Sequence, residues 1–238
     1  VRSAGELLDF GHALSAAARR LIGQQAQLTP IAASLQIDFS KLGRDYMRGA
    51  REAAPESDYF VDKMPVNYMY CGLIRKALPN AKIIHLVREP MDSCYAVFKT
   101  HFGQAYHFSY DQDELAAYFA TYQRLMRHWH EVMPGQILDV RYESLVDNIE
   151  HEARRILEFC GLQWQDAVLD PSGNQRPATT ASAAQVRAPV HARSVGNWRK
   201  YETGLAPLKA RLIAEGPAFV DAEVKSISYT GGIDVSVR

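Results

Sequence analysis

The sequence predicts an α/β fold with a parallel sheet, and three observations carry that expectation. Short, β-branched apolar runs at 82–87 and 137–140 are bounded by turn residues and read as buried strands. Segments with apolar residues at helical spacing separate and flank them. The chain has 238 residues, 47% of them apolar, so this alternation can bury one substantial core, and one globular domain is the expectation.

In chain order, residues 7–35 are rich in Ala, Leu and Gln and predict two helices broken near Thr29-Pro30. A third helix is expected over 39–54. Residues 58–62 are short, polar and aromatic, and lead into the tight segment Asp62-Lys63-Met64-Pro65-Val66-Asn67. A helix follows through Ala77 and stops near Pro79-Asn80. The run 82–87 suits a strand buried on both faces, ended by Arg88. Asp92 begins a helix reaching about His101, and 111–133 forms a long amphipathic helix terminated by Pro134-Gly135. After the strand at 137–140, residues 143–160 predict one helix capped by Gly161. From 171 to 194 no period appears and a long functional loop is expected. Residues 198–214 read as helical, and 224–237 alternate loosely, as a hairpin around Thr230-Gly231-Gly232 would.

Composition narrows the partners. With 27 basic and 27 acidic residues the formal charge is zero, so no overall basic excess points to nucleic acid or a membrane surface. An anionic ligand has to be held by local clusters. Cys71, Cys94 and Cys160 are widely spaced and odd in number, which suits neither a disulfide framework nor a zinc site and points to a reducing, cytoplasmic setting. No run of about 18 apolar residues and no basic-then-apolar leader is seen, so a soluble protein is expected. The chain opens on Val1 within structured-looking sequence and reads as a piece of a longer protein.

Several residues can carry chemistry. Arg88 directly follows the strand Ile83-Ile84-His85-Leu86-Val87, where open α/β sheets place their ligands, and its guanidinium can grip a phosphate through two parallel hydrogen bonds. An ion pair with Glu89 or Asp92 is the alternative. Lys63 precedes a helix whose first turn holds Pro65, and it either stabilises a bridging or leaving oxygen or is a solvated loop lysine. Arg187, Arg193, Arg199 and Lys200 cluster with Ser182, Gln185 and Trp198, as in a phosphate-binding flap or an ordinary exposed basic segment. His128, His130 and Glu131 do not make a metal site, because positions i and i+2 do not share a helix face. Phe102, Gly103, Tyr106, Phe108 and Tyr110 form a loop that shapes an acceptor site or simply packs.

Five segments occur together in order: Val1-Arg2-Ser3-Ala4-Gly5-Glu6, Asp62-Lys63-Met64-Pro65, Ile84-His85-Leu86-Val87-Arg88-Glu89-Pro90, Val140-Arg141-Tyr142-Glu143-Ser144-Leu145-Val146 and Ser182-Ala183-Ala184-Gln185-Val186-Arg187-Ala188-Pro189, with Trp198 downstream. In this the chain resembles the sulfotransferases that use 3'-phosphoadenosine 5'-phosphosulfate (PAPS), and among them the protein-tyrosine sulfotransferases and bacterial relatives often fused to tetratricopeptide repeats. The resemblance covers residues 1–214, leaving 215–238 as a tail. It implies a P-loop-type sulfotransferase fold, a PAPS donor, no metal, and a hydroxyl acceptor such as a tyrosine-containing peptide, with tetratricopeptide repeats upstream.

The resemblance also implies roles. Glu6 takes the place of the glutamate that removes the acceptor proton, and Lys63 that of the lysine supporting the transferring group and leaving phosphate. Arg88 falls on the arginine of the 3'-phosphate, Tyr142 near the adenine, and Ser182 in the nucleotide-binding C-terminal loop. Three departures stand beside these matches. The glycine-containing phosphosulfate loop and its strand are missing, since Gly5-Glu6-Leu7 fits the glutamate motif better than Arg2-Ser3-Ala4-Gly5 fits that loop. The serine expected to assist Arg88 falls at Ala96, for which Ser93 substitutes one turn earlier. Asn197 stands where a lysine is expected before Trp198, so Arg193 and Arg199 supply the charge. The alternative is an inactive nucleotide-binding or structural remnant. A kinase-like reading needs a Walker lysine and a magnesium ligand, and neither is visible.

Overall fold

The structure is a computed structural model that describes residues 1–55, 57–170 and 191–216. It divides into two compact units, one built from Val1–Val87 with the described part of Arg124–His191, the other from Arg88–Gln123 with the described residues from Ala192 onward.

The first unit begins with strand β1 (Arg2–Gly5), then α1 (Asp9–Gln24), α2 (Pro30–Ser34) and α3 (Phe39–Ala53). Two of these helices start on side-chain caps. The Thr29 hydroxyl accepts from the Ala32 amide at 3.2 Å, and the Asp38 carboxylate from the Lys41 amide at 2.8 Å, satisfying amides that a helix start leaves unpaired. Phe10, Leu14 and Ala18 form the buried stripe of α1, and Leu42, Tyr46 and Ala50 that of α3. All of these but Ala18 meet Ile37 and Ala77 in one core, where Phe10 and Tyr46 pack edge to face with centroids 5.7 Å apart. Gly43 is required here, because a Cβ would run into the Ala77 carbonyl of α4 (Cys71–Ala77). A 3-10 turn over Pro65–Tyr70 leads into that helix, so the helix expected before Ala77 is split into two geometries.

Two parallel strand pairs lie in this unit. β1 runs beside β2 (Phe60–Asp62), with Arg2 opposite Phe60 and Gly5 opposite Asp62. The sequence reading assigned no strand to either segment. β3 (Ile83–Val87) runs beside β4 (Ile137–Arg141) in unbroken register, from Ile83 opposite Ile137 to Val87 opposite Arg141. These pairs confirm the α/β class with parallel strands. The expectation that 82–87 is buried on both faces is corrected: Ile84 and Leu86 are 42% and 57% exposed. Among the described residues β3 pairs with β4 alone, and this exposure is confined to β3: Val140, the β4 partner of Leu86 on the same face, is 1% exposed.

The helix expected over 143–160 is two, α7 (Tyr142–Asp147) and α8 (Ile149–Cys160). Asn148 separates them in a non-helical conformation, and its side chain accepts from the His151 amide to start α8. Gly161 ends α8 in the left-handed conformation, φ 68°, as its sequence position predicts.

The second unit holds α5 (Pro90–Phe98), the first half of α6 (Gln112–Val132) and α9 (Ala206–Glu215). Met91, Cys94, Leu115, Ala116, Phe119, Trp198, Leu205, Leu208 and Leu212 form its core. The helix expected over 198–214 is a 3-10 turn at Asn197–Tyr201 followed by α9, which restarts where Pro207 suits a first turn. The Gln112 side chain fastens that restart, donating to the Gly204 carbonyl at 2.9 Å and accepting from the Leu208 amide at 3.1 Å. The aromatic loop packs on itself: Phe108 stacks on Tyr118 at 3.7 Å, and Tyr106 meets Phe102 and Phe108 edge on. The expected hairpin at 224–237 lies outside the described residues, as does most of the loop at 171–194. No described helix is long and apolar enough to cross a membrane.

Two glycines test the packing. Gly43→Ala is expected to lower unfolding stability by about 1–3 kcal/mol, the usual cost of overpacking. Gly23 of α1 has open space beyond it, so Gly23→Ala is expected to raise stability by roughly 0.5–1 kcal/mol. Urea titration of both variants checks the opposite signs.

Candidate active site

Glu6 is the first residue after β1 and Lys63 the first after β2. Because the strands are parallel, both side chains stand beyond the carboxyl ends of adjacent strands, the usual ligand position in α/β sheets. The Lys63 amide donates to the Gly5 carbonyl at 2.8 Å, and the Lys63 ammonium pairs with the Glu6 carboxylate. Gly5 allows this approach by turning at φ 79°, next to an irregularity in the strand register. The two side chains are 37% and 62% exposed, Glu6 the less so. An exposed pair of this kind adds little to stability, and both groups remain reachable by a ligand.

Asp62 sets this geometry. One carboxylate oxygen accepts from the Leu7 amide at 3.1 Å, just past Glu6. The other accepts from the Tyr46 hydroxyl at 3.0 Å and from the Asn67 side chain at 3.2 Å. Burial, then the Asp62 charge, push the Tyr46 phenol well above its ordinary pKa, so it stays a donor. Asp62 belongs to the Asp62-Lys63-Met64-Pro65 segment, and local spacing alone gives it no role. Its signal was a carboxylate immediately before the candidate lysine.

Tyr142 opens α7, next after β4, and its hydroxyl donates to the His191 carbonyl at 3.5 Å. It is half-buried. Ser182 lies outside the described residues, as do Gln185 and Arg187.

In the second unit, Arg88 is 23% exposed and donates to the Ser194 carbonyl at 2.6 Å. Its guanidinium stands 4.0 Å from the Asp92 carboxylate, so the ion pair considered from sequence is present. Asp92 is 1% exposed and also accepts from the amides of Gly196 and Trp198. The start of α5 thereby holds residues 194–198, including the anchor Trp198. Arg193, adjacent to Ser194, and Arg199 are both exposed, with the Arg199 guanidinium 5.0 Å from the centre of the Trp198 ring. Ser93 is half-buried on α5, whose start is capped by Glu89 accepting from the Asp92 amide at 2.6 Å. Arg88 and the turn carrying Arg193 are thus brought together. The buried role of Asp92 went unread.

The described cysteines are free. Burial pushes the Cys71 thiol up to about 11 and the Cys94 thiol up as well, which keeps both protonated and unreactive. A groove of about 740 Å³ lies along α3 and α4, lined by Ser40, Arg44, Met47, Arg48 and Arg51 among others, and holds none of the residues singled out from sequence.

The chain belongs to the sulfotransferase family: residues 8–166 match that family's profile. An uncharacterized protein of Aquifex aeolicus (strain VF5) is 36% identical over 174 residues, 72% of this chain and 23% of the relative. The protein-tyrosine sulfotransferase of Drosophila melanogaster is 26% identical over 155 residues, 58% of this chain and 29% of the relative. The chain therefore spans under a third of the length of these two curated relatives. A solved sulfotransferase domain from the curacin biosynthetic pathway is 17% identical with a TM-score of 0.44, covering 74% of this chain and 64% of that one. The assignment rests on the family match.

Asp92→Ala removes a buried acceptor of two backbone amides and leaves Arg88 without its carboxylate. It is expected to cost about 3 kcal/mol or more. Thermal and urea unfolding read this directly, and a loss within ordinary surface scatter would contradict the anchoring role.

Proposed function

We propose that the protein containing this chain transfers a sulfuryl group from PAPS to a hydroxyl, with a tyrosine phenol as acceptor. The observation that carries this reading is the placement of Glu6 and Lys63 side by side beyond the ends of parallel strands. Membership of the sulfotransferase family supports the reaction class, and the Drosophila relative's name supports the tyrosine acceptor.

In this reading the acceptor oxygen attacks sulfur while the bond from sulfur to the bridging phosphate oxygen breaks. Glu6 takes the hydroxyl proton, which raises the nucleophilicity of the oxygen as the new bond forms. The electron pair of the broken bond leaves on 3'-phosphoadenosine 5'-phosphate, where the Lys63 ammonium offsets the growing negative charge. A carboxylate and an ammonium already side by side are oriented before substrate binds, so little reorganisation is needed during transfer. Arg88 and Ser93 contact the 3'-phosphate, Tyr142 lies near the adenine, and Ser182, Arg193 and Arg199 complete the donor contacts. Arg88 exchanges its bond to the Ser194 carbonyl for the phosphate when the donor binds.

The test is transfer of labelled sulfate from PAPS to a tyrosine peptide. Glu6→Gln is expected to slow turnover by about 10²–10⁴-fold, the range for losing a general base. Arg88→Ala is expected to raise the KM for the donor by about tenfold to a hundredfold, as loss of a charge-assisted hydrogen bond would. Unchanged turnover in Glu6→Gln removes the proposed base. Absence of transfer to any hydroxyl acceptor in the intact protein favours the inactive remnant.

A further inference from the structure

The three-residue cluster of His85, His130 and Asp139 contains none of the residues assigned to sulfuryl transfer. We propose that it is a site for a divalent first-row transition ion, with zinc as the fitting case, which clamps β3, β4 and the end of α6 together.

Register places the first two ligands. His85 is the middle residue of β3 and Asp139 the middle residue of β4, and they are direct partners across the parallel pair. Partners in a parallel pair project to the same face, so their meeting follows from the backbone. His130 comes from the last turns of α6. Its Nε2 lies 3.1 Å from Asp139 Oδ1, and His85 Nδ1 lies 2.8 Å from the same oxygen. The three donor atoms all lie within 4.8 Å of one another.

These separations suit a metal. Ligands about 2.1 Å from a four- or six-coordinate ion stand roughly 3.0–3.4 Å from each other, so each His–Asp distance needs to open by only a few tenths of an ångström. Two neutral imidazoles and one carboxylate form a borderline donor set that favours zinc, cobalt or nickel over calcium or magnesium. The set carries one negative charge against two positive ones. Both imidazoles already reach the same carboxylate oxygen of Asp139, at 2.8 and 3.1 Å.

Access and support are also present. The side chains of His85, His130 and Asp139 are 15%, 32% and 47% exposed, so the cluster is rooted on His85 and open on the Asp139 side, where water completes the coordination. Arg155 donates to the Asp139 backbone carbonyl at 3.2 Å and pairs with Glu152, which leaves its contact off the Asp139 carboxylate. The i, i+2 argument against His128 and His130 remains sound. His130 finds its partners across the fold instead of along its own helix.

The experiment is titration of the full chain with zinc chloride, followed by calorimetry and thermal melting, with cobalt(II) as a visible-absorption probe. Zinc is expected to bind at one equivalent per chain and raise the Tm. Affinity is expected to fall at least about tenfold in Asp139→Asn and in His130→Gln, while His128→Gln binds as the parent does. Circular dichroism of the metal-free variants verifies folding. If a variant does not fold, the imidazole NMR resonances of the parent decide: those of His85 and His130 shift first with zinc if the site is real. No binding at millimolar zinc, equal affinity in all variants, or undisturbed His85 and His130 resonances overturns the proposal. None of these readouts depends on sulfuryl transfer.

Discussion

The carboxylate of Asp62 is the junction on which the Glu6–Lys63 pair depends. It sits at the end of β2 and takes hydrogen bonds from three other segments: the backbone just past Glu6, the Tyr46 hydroxyl of α3 and the side chain of Asn67. Each bond is ordinary in strength, but together they leave the carboxylate one position. The neighbours of that position are Glu6 and Lys63, so a carboxylate outside the pair determines where two candidate catalytic groups stand. The core behind it serves the same end, since Phe10, Tyr46 and Ala50 fix the helix from which Tyr46 reaches Asp62.

Asp92 plays the corresponding part in the second unit. A fully buried carboxylate is costly unless its lone pairs are filled and its charge is matched; here the backbone amides of Gly196 and Trp198 donate to it and the Arg88 guanidinium stands 4.0 Å away. The start of α5 thereby holds a distant stretch of chain, with Trp198 inserted in the core as its anchor. In both units the candidate functional residues are exposed or half-exposed, and the carboxylates that position them are more deeply held. The candidate residues lie at the ends of strands and in turns, and the packing beneath holds them in place.

Long periodic segments were legible in the sequence, and so was chemistry borne by local spacing. The buried stripe of α3, the strand at β3 and the stop at Gly161 each follow from residues a few positions apart. β1 and β2 were not, because strands of three or four residues are defined by their partner's hydrogen bonds more than by their own side chains. The exposure of Ile84 and Leu86 has a related reason: an apolar strand predicts what ought to cover it, and the described residues bury Val140 of β4 while leaving its neighbours on β3 uncovered. The break at Asn148 was readable in principle, since an asparagine three residues before a histidine amide can cap a helix, but its apolar neighbours concealed it. Motif order identified the family, whereas the work of Asp62, Asp92 and His130 depends on tertiary partners that no local pattern encodes.

If Glu6 and Lys63 are two parts of one device, their effects on turnover are coupled. The decisive measurement is a double-mutant cycle on the rate of sulfuryl transfer with Glu6→Gln, Lys63→Ala and both together. Groups serving a single transition state are strongly non-additive, so the double variant should be no more than about tenfold slower than the slower single variant. Rate losses that simply multiply would mean the two side chains act independently, and would contradict the role given to the aligned ends of β1 and β2.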